Sequence, residues 1–118
     1  MEIILDTSAV IELLEGTKKG RKLLEAAQGN TVSTTVFTLY EVRRKQKSLE
    51  TVKAMRVQPF SEDASGLAAK IGTALESSGR EMQHIDLFIA CIALAKNALL
   101  ATTDKGFRKI KELKIIEL

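Results

Sequence analysis

The fold class of this chain is decided by the stretch Ile3-Ile4-Leu5-Asp6-Thr7-Ser8, in which an apolar run gives way to polar side chains. A short run of three aliphatic residues is typical of a buried strand. The carboxylate and the two hydroxyls after it can cap a helix, and helical spacing follows as far as Gly16. The stretch therefore predicts a buried strand that leads directly into a helix.

Similar signals alternate along the rest of the chain. β-Branched and aliphatic runs predict further strands over 31–34, 56–58, 98–101 and 115–116. Apolar spacing and capping residues predict helices over 18–28, 36–47, a short stretch after Ser48, 61–79, 87–95 and a short stretch after Asp104. This alternation is typical of a parallel sheet with helices on both faces. We therefore predict an α/β fold that forms one domain over residues 1–118.

Composition narrows the class of protein. With 45% hydrophobic and 28% charged residues, the chain is globular rather than disordered or fibrous. Its one cysteine, Cys91, cannot form an internal disulfide, which fits a reducing compartment. The N-terminus lacks the pattern of a signal peptide, and no run approaches the ~18 apolar residues of a membrane span. We therefore expect a cytoplasmic protein that does not associate with membranes.

The charge pattern allows a polyanionic partner. The formal net charge is +3, and basic residues cluster over 18–22, 43–47 and 105–111. Solvated helix faces explain such clusters as readily as contacts to phosphate do, so both interpretations stay open.

Four acidic residues are candidates for a site, since a parallel sheet binds ligands at the carboxyl edge of its strands and two of the four directly follow predicted strands. Asp6 and Asp104 each follow a predicted strand, Asp86 opens an apolar helix, and Glu41 lies in the helix after the second strand. Each has an ordinary alternative, since the aspartates can cap helices and Glu41 can be a solvated helix residue.

Carboxylates gathered at one edge would repel each other and raise their pKa values unless a cation lay between them. Oxygen ligands suit Mg²⁺ or Mn²⁺, whereas the chain has no cysteine and histidine cluster for zinc. The sequence also lacks a phosphate-binding loop of the Walker type, a dinucleotide fingerprint and a nucleophile elbow. A metal-assisted hydrolysis is the chemistry that these residues favour.

Four segments in order resemble the PIN domain family, in particular the small VapC-type toxins. Residues 4–8 match a hydrophobic strand that ends in D-[ST]-[SN], and residues 35–41 resemble S-x-x-[ST]-x-x-E, with Thr35 in place of the serine. Residues 86–93 are close to D-x-x-I-A-A-x-A, and residues 100–104 match a strand that ends in T-x-[ND]. Each motif is weak alone, but the four together span nearly the whole chain.

The resemblance implies a three-layer α/β/α sandwich with a five-stranded parallel sheet, and an endoribonuclease that depends on Mg²⁺ or Mn²⁺. It implies that four acids hold the metal and activate water: Asp6, Glu41, Asp86 and Asp104. Thr7, Ser8 and Thr102 would support this set. Arg43 and Arg44, which follow Glu41 closely in the sequence, would contact the RNA or, equally well, a protein partner. The implied partners are the RNA substrate, a small antitoxin that reaches into the acidic site, and a second copy of the chain.

The chain departs from the family pattern after its fourth motif. Many members carry another acid two or three residues later, where this chain has Lys105-Gly106-Phe107, so a second metal has less support. Cys91 replaces a small alanine, and we interpret it as structural. His84, the only histidine, matches no family position, and we expect no catalytic part for it.

Two other functions stay open from the sequence. The chain can be a free-standing PIN nuclease of RNA processing, or a catalytically silent module that binds RNA or protein. Phosphatases of the haloacid dehalogenase type are excluded because residues 6–8 lack the second aspartate of D-x-D.

Overall fold

The computed structural model describes residues 1–47 and 50–118 and shows one parallel five-stranded sheet. The strands are β1 (Glu2–Leu5), β2 (Thr31–Thr35), β3 (Arg56–Gln58), β4 (Leu99–Thr102) and β5 (Ile115–Glu117). They lie in the order β3-β2-β1-β4-β5, and every neighbouring pair is parallel. The five predicted strands and the parallel sheet are therefore confirmed.

Helices cover both faces of this sheet. They are α1 (Thr7–Glu15), α2 (Lys18–Ala27), α3 (Val36–Arg44), α4 (Glu50–Lys53), α5 (Glu62–Ser77) and α6 (His84–Ala95), with a 3₁₀ turn over Lys105–Lys109. Since side chains alternate across a strand, Ile4 packs with α5 and α6, whereas its neighbours Ile3 and Leu5 pack with α1 and α2 on the other face. The three-layer α/β/α sandwich is confirmed.

Two helix boundaries differ from the predicted ones. Helix α3 ends at Arg44 rather than at residue 47, because Gln46 adopts a left-handed φ of 54° and the Lys47 amide turns back to the Val42 carbonyl. Helix α6 begins at His84, three residues before the predicted start, so Asp86 lies in its first turn. The start of the short helix predicted after Ser48, at Leu49, lies outside the described residues, and α4 follows from Glu50.

The helix starts after β1 and β2 are fixed by side-chain caps at the carboxyl edge of the sheet. Asp6 accepts a hydrogen bond from the Ala9 amide and caps α1, and Thr35 accepts one from the Thr38 amide and caps α3. The strand ends and helix starts thereby place polar side chains at one edge. Within the described part of the chain, no helix has both the length and the apolar character needed to cross a membrane.

Candidate metal and active site

The four acids predicted from the motifs line one cavity of about 350 Å³ at the carboxyl edge of the sheet. Asp6 follows β1, Glu41 lies on α3, Asp86 lies on α6 and Asp104 follows β4. They come from four separate segments of the chain, and the fold brings these segments together at one edge of the sheet.

Asp6 is the most deeply placed of the four, with 4% of its surface exposed. Its Oδ1 accepts hydrogen bonds from Ser8 Oγ at 2.7 Å and from the Ala9 amide at 2.9 Å. Its Oδ2 accepts one from Thr102 Oγ1 at 2.5 Å. Burial raises the pKa of Asp6, and these hydrogen bonds oppose that rise. The carboxylate is thus held in one orientation.

Glu41 is tied to the helix after β1. Thr7 Oγ1 donates a hydrogen bond to Glu41 Oε1, which links α1 to α3 across the cavity. Glu41 is partly buried, so the alternative of a solvated helix residue does not describe its position.

The pKa of Asp86 is shifted furthest from its ordinary value among the acids of the cavity. Burial first, and then the charges of Asp104, Glu41 and Asp6, raise the pKa of Asp86 to about 6. Asp86 does not cap α6, because Gln83 occupies that position and makes no side-chain capping bond. Its position is therefore explained by the cavity rather than by helix capping.

Asp104 is exposed at the rim of the cavity. Its Oδ1 accepts a hydrogen bond from the Gly106 amide at 2.7 Å and caps the 3₁₀ turn, and its own amide donates to Thr102 Oγ1 at 2.9 Å. Asp6 and Asp104 are thus helix caps and cavity residues at the same time.

The donor chemistry of the cavity fits a hard divalent cation, since its acids offer only oxygen atoms. Among residues 1–47 and 50–118, however, no three acidic, histidine or cysteine side chains stand in coordinating positions. Oxygens of Asp6, Glu41 and Asp104 accept hydrogen bonds instead. Binding a cation therefore requires carboxylates to turn toward the centre of the cavity, where the positive charge of the cation would offset the repulsion that Asp86 experiences.

Four further residues line this cavity, and we did not single them out from the sequence: Ile11, Glu12, Lys45 and Thr103. Helical spacing contains a signal for two of them, since Glu12 comes four residues after Ser8 and Lys45 four residues after Glu41. Arg44 lines a neighbouring cavity, and Arg43 is exposed on the same helix.

His84 and Cys91 lie apart from the acids. His84 stacks on Phe88 with ring centroids 5.9 Å apart and lines an apolar cavity between α5 and α6. Cys91 is completely buried, and this burial raises the pKa of its thiol to about 11.

Comparison with known proteins agrees with this geometry. The model of the PIN domain matches residues 3–113. Ribonuclease VapC5 of Mycobacterium tuberculosis is 33% identical over 98% of this chain and 92% of the relative. These matches confirm the resemblance found in the motifs.

Two solved structures share the fold. VapBC2 from Rickettsia felis, bound to a promoter DNA fragment, superposes with a TM-score of 0.84 and 24% identity over 100% of this chain and 99% of that one. The toxin–antitoxin protein VapBC-5 from Mycobacterium tuberculosis gives a TM-score of 0.77 and 27% identity over 99% of this chain and 98% of that one. Both cover the sheet and all the segments that carry the four acids.

Proposed function

This chain belongs to the PIN domain family, and we propose that it is the toxin of a type II toxin–antitoxin pair, which cleaves RNA with the help of Mg²⁺ or Mn²⁺. The chain is a nuclease, which is a hydrolase of phosphodiester bonds, and its ribonuclease relative confirms the predicted enzyme class. The metal, the substrate, the partners and the residue roles given below are our proposals, as is a single nuclease domain over residues 1–118.

One observation carries the proposal. Four carboxylates from four segments line a single cavity of about 350 Å³, although burial and then the charges of the other three raise the pKa of Asp86 to about 6. Like charges held this close together destabilise a protein unless a bound ligand of opposite charge neutralises them. A divalent cation is the ligand that a cluster of oxygen donors favours.

We assign the metal ligands to Asp6, Glu41, Asp86 and Asp104. A bound Mg²⁺ or Mn²⁺ would neutralise charge on a phosphodiester and make an attacking water more acidic. We assign the activation of water to the four carboxylates together rather than to one of them as a general base, because all four line the same cavity.

The residues around the acids position them. Ser8 and Thr102 each donate a hydrogen bond to Asp6, one to each carboxylate oxygen. Thr7 donates to Glu41, which sets the distance between α1 and α3. We propose that these hydroxyls preorganise the oxygen donors, since groups that hydrogen-bond to metal ligands fix their orientation and tune the affinity for the metal.

We propose three partners for the chain. The substrate is RNA, and Arg43 and Arg44 at the end of α3 contact its phosphates. An antitoxin silences the enzyme by placing a basic side chain among the four acids, and two copies of the chain form a homodimer. We expect the pair to act in the cytoplasm, where RNA is accessible.

An RNA cleavage assay tests the proposed activity. Purified protein is expected to cut RNA in Mg²⁺ or Mn²⁺ and to lose activity in EDTA. Asp6→Asn and Asp86→Asn should abolish cleavage, since each removes a charged oxygen ligand. Asp63→Asn is the matched control, because Asp63 lies exposed in the first turn of α5, outside the cavity. Cleavage that survives EDTA and both variants would overturn the proposal.

A growth assay separates a toxin from a free-standing nuclease of RNA processing. Expression of the wild-type chain should arrest growth, Asp86→Asn should not, and a small protein encoded beside it should relieve the arrest. Growth that continues normally while the purified chain cleaves RNA would favour the free-standing nuclease. Absence of both cleavage and millimolar Mn²⁺ binding would favour a catalytically silent module.

A further inference from the structure

A second cavity, of about 430 Å³, opens beside the acid cavity. Its lining is formed by Tyr40, Glu41, Arg44, Lys45 and Ile85. Glu41 and Lys45 line both cavities, so the two are neighbours that share one wall. The second cavity has the size of an ordinary small-ligand site and contains one carboxylate and two cationic groups.

Tyr40 gives this cavity an exposed aromatic surface. The residue is 48% exposed, although it belongs to a helix whose Thr38 and Val42 are completely buried. Arg44 Nη1 donates a hydrogen bond to the Tyr40 hydroxyl at 3.1 Å, and the guanidinium carbon lies 5.9 Å from the ring centroid. The ring is thus held by its own helix, one turn away, while much of its surface stays open.

Lys45 stands where the two cavities meet. Within the described ranges 1–47 and 50–118 it takes part in no ion pair, whereas its neighbour Lys47 pairs with Glu15. An ammonium group at the border of a cluster of four carboxylates is well placed to attract a phosphate that the acids alone would repel.

We propose that this second cavity is a nucleotide subsite for RNA, in which one base stacks on Tyr40 and Lys45 binds the phosphate next to the bond that is cut. The inference rests on the proposed RNA cleavage and adds the residues that receive the nucleotide flanking that bond. Exposed aromatic rings beside cations are the usual platform for single-stranded RNA, because every base offers a face for stacking.

The charges favour RNA over a protein occupant for this cavity. A basic side chain that enters this second cavity would meet two cations, Arg44 and Lys45, against the single carboxylate of Glu41. A polyanion with bases satisfies both cations and the ring together. Continuity with the acid cavity then places the bound nucleotide beside the reacting phosphate.

Intrinsic fluorescence reports on this subsite directly, because the chain has one tyrosine and no tryptophan. The full chain carrying Asp6→Asn, which should not cut its ligand, is titrated with single-stranded oligoadenylate in Mg²⁺. Stacking on Tyr40 is expected to quench the emission to a plateau. Inorganic polyphosphate, which has charge but no bases, should leave it nearly unchanged. N-acetyltyrosinamide titrated in parallel corrects for light absorbed by the RNA.

Variants in the same background then separate the ring from the charge. Tyr40→Ala should raise the Kd of fluorescently labelled oligoadenylate about five- to 150-fold, whereas Tyr40→Phe, which keeps the ring, should stay near the parent. Lys45→Ala should lower the slope of log K against log salt by about 0.7, and Lys45→Arg should restore it. Lys96→Ala is the matched control, because Lys96 is exposed after the other end of α6.

Three results would overturn the subsite. Labelled RNA binds without quenching the emission of Tyr40, or RNA does not bind at all. In the third, the emission changes with protein concentration but not with RNA. The last would assign this face to a second copy of the chain. Wild-type cleavage assays keep the two proposals apart. Cleavage with an unchanged KM in Tyr40→Ala would reject the subsite alone, whereas saturable quenching without wild-type cleavage would reject the proposed catalysis alone.

Discussion

Thr102 Oγ1 donates a hydrogen bond of 2.5 Å to Asp6 Oδ2 and thereby joins the carboxyl ends of β4 and β1 through two buried side chains. The same hydroxyl oxygen accepts a bond from the Asp104 amide at 2.9 Å. One side chain on β4 therefore orients one acid directly and a second acid through its backbone.

Replacing Thr102 by valine is expected to reduce metal affinity and cleavage more than it reduces the stability of the fold. Thr102→Val keeps the shape of the side chain but removes the hydrogen bond to Asp6 Oδ2, at a cost of about 1–3 kcal/mol in unfolding free energy. Cleavage and Mn²⁺ affinity should fall about 10- to 100-fold. Calorimetric titration and RNA cleavage measure these losses, and Thr102→Ser should recover most of the activity. Equal activity of the valine and serine variants would contradict this role.

Asp86 is expected to destabilise the metal-free protein at neutral pH. Its pKa lies near 6 in the folded state against an ordinary 3.8, so the folded state holds more protons between these values. Stability from this group is therefore full below pH 4 and is lost as pH rises through 6. In EDTA, Asp86→Asn should raise the free energy of unfolding by about 1 kcal/mol at pH 7, discounted for partial exposure, and by little at pH 4.

Urea denaturation at the two pH values measures this difference. Asp63→Asn is again the control, because Asp63 is exposed in the first turn of α5, where the helix dipole favours a negative charge. It should give no gain at either pH. A gain for Asp86→Asn that is the same at pH 4 and pH 7 would show that the repulsion is not its source.

Gly20 is expected to be essential to the contact between α1 and α2. A Cβ atom there would lie 2.4 Å from the Glu12 carbonyl oxygen, which belongs to the helix backbone and cannot turn away. Gly20→Ala should lower the free energy of unfolding by about 1–3 kcal/mol. Gly66→Ala is the matched control, since nothing lies within 4 Å of its Cβ position on α5, and it should stabilise the protein by about 0.5–1 kcal/mol. Denaturation midpoints of similar value for both variants would contradict the clash.

Cys91 is expected to be unreactive in the folded protein. Its side chain is completely buried and burial raises its pKa to about 11, so little thiolate exists at pH 8. A chromogenic disulfide reagent should react with it only after unfolding in urea, and Cys91→Ala should retain full cleavage. Rapid labelling of the native chain would show that α6 opens more readily than its packing indicates.

The sheet could be predicted from sequence because its strands are short apolar or β-branched runs bounded by polar residues. Strand β1 is the clearest case, since its last residue is followed by the aspartate that caps α1. Helix α6 shows where this approach fails. Gln83 precedes it without a side-chain capping bond, so no local signal marks its start, and packing against α5 determines the boundary instead.

The four acids and the supporting hydroxyls of Thr7, Ser8 and Thr102 could be proposed from motifs, whereas the second cavity beside them could not. Lys45 illustrates the difference, because the predicted α3 ran to residue 47 and made Lys45 one more residue of a helical face. Gln46 in a left-handed conformation ends the helix without the glycine that usually marks such a turn. Helical spacing from Glu41 brings Lys45 to the acid cavity, but nothing in the sequence indicates the second cavity that Lys45 also lines.

The double role of the aspartates as helix caps has a genetic consequence. Asparagine caps helices about as well as aspartate, so Asp104→Asn would leave the 3₁₀ turn capped while removing a charge from the cavity. The two residues differ by one nucleotide in the first codon position. Under the proposed role of Asp104 in holding the metal, a cell harmed by this chain has a single-step route to an inactive protein that still folds and can still occupy the proposed antitoxin. Selection for an intact fold would then not maintain this acid, and selection for its chemistry would.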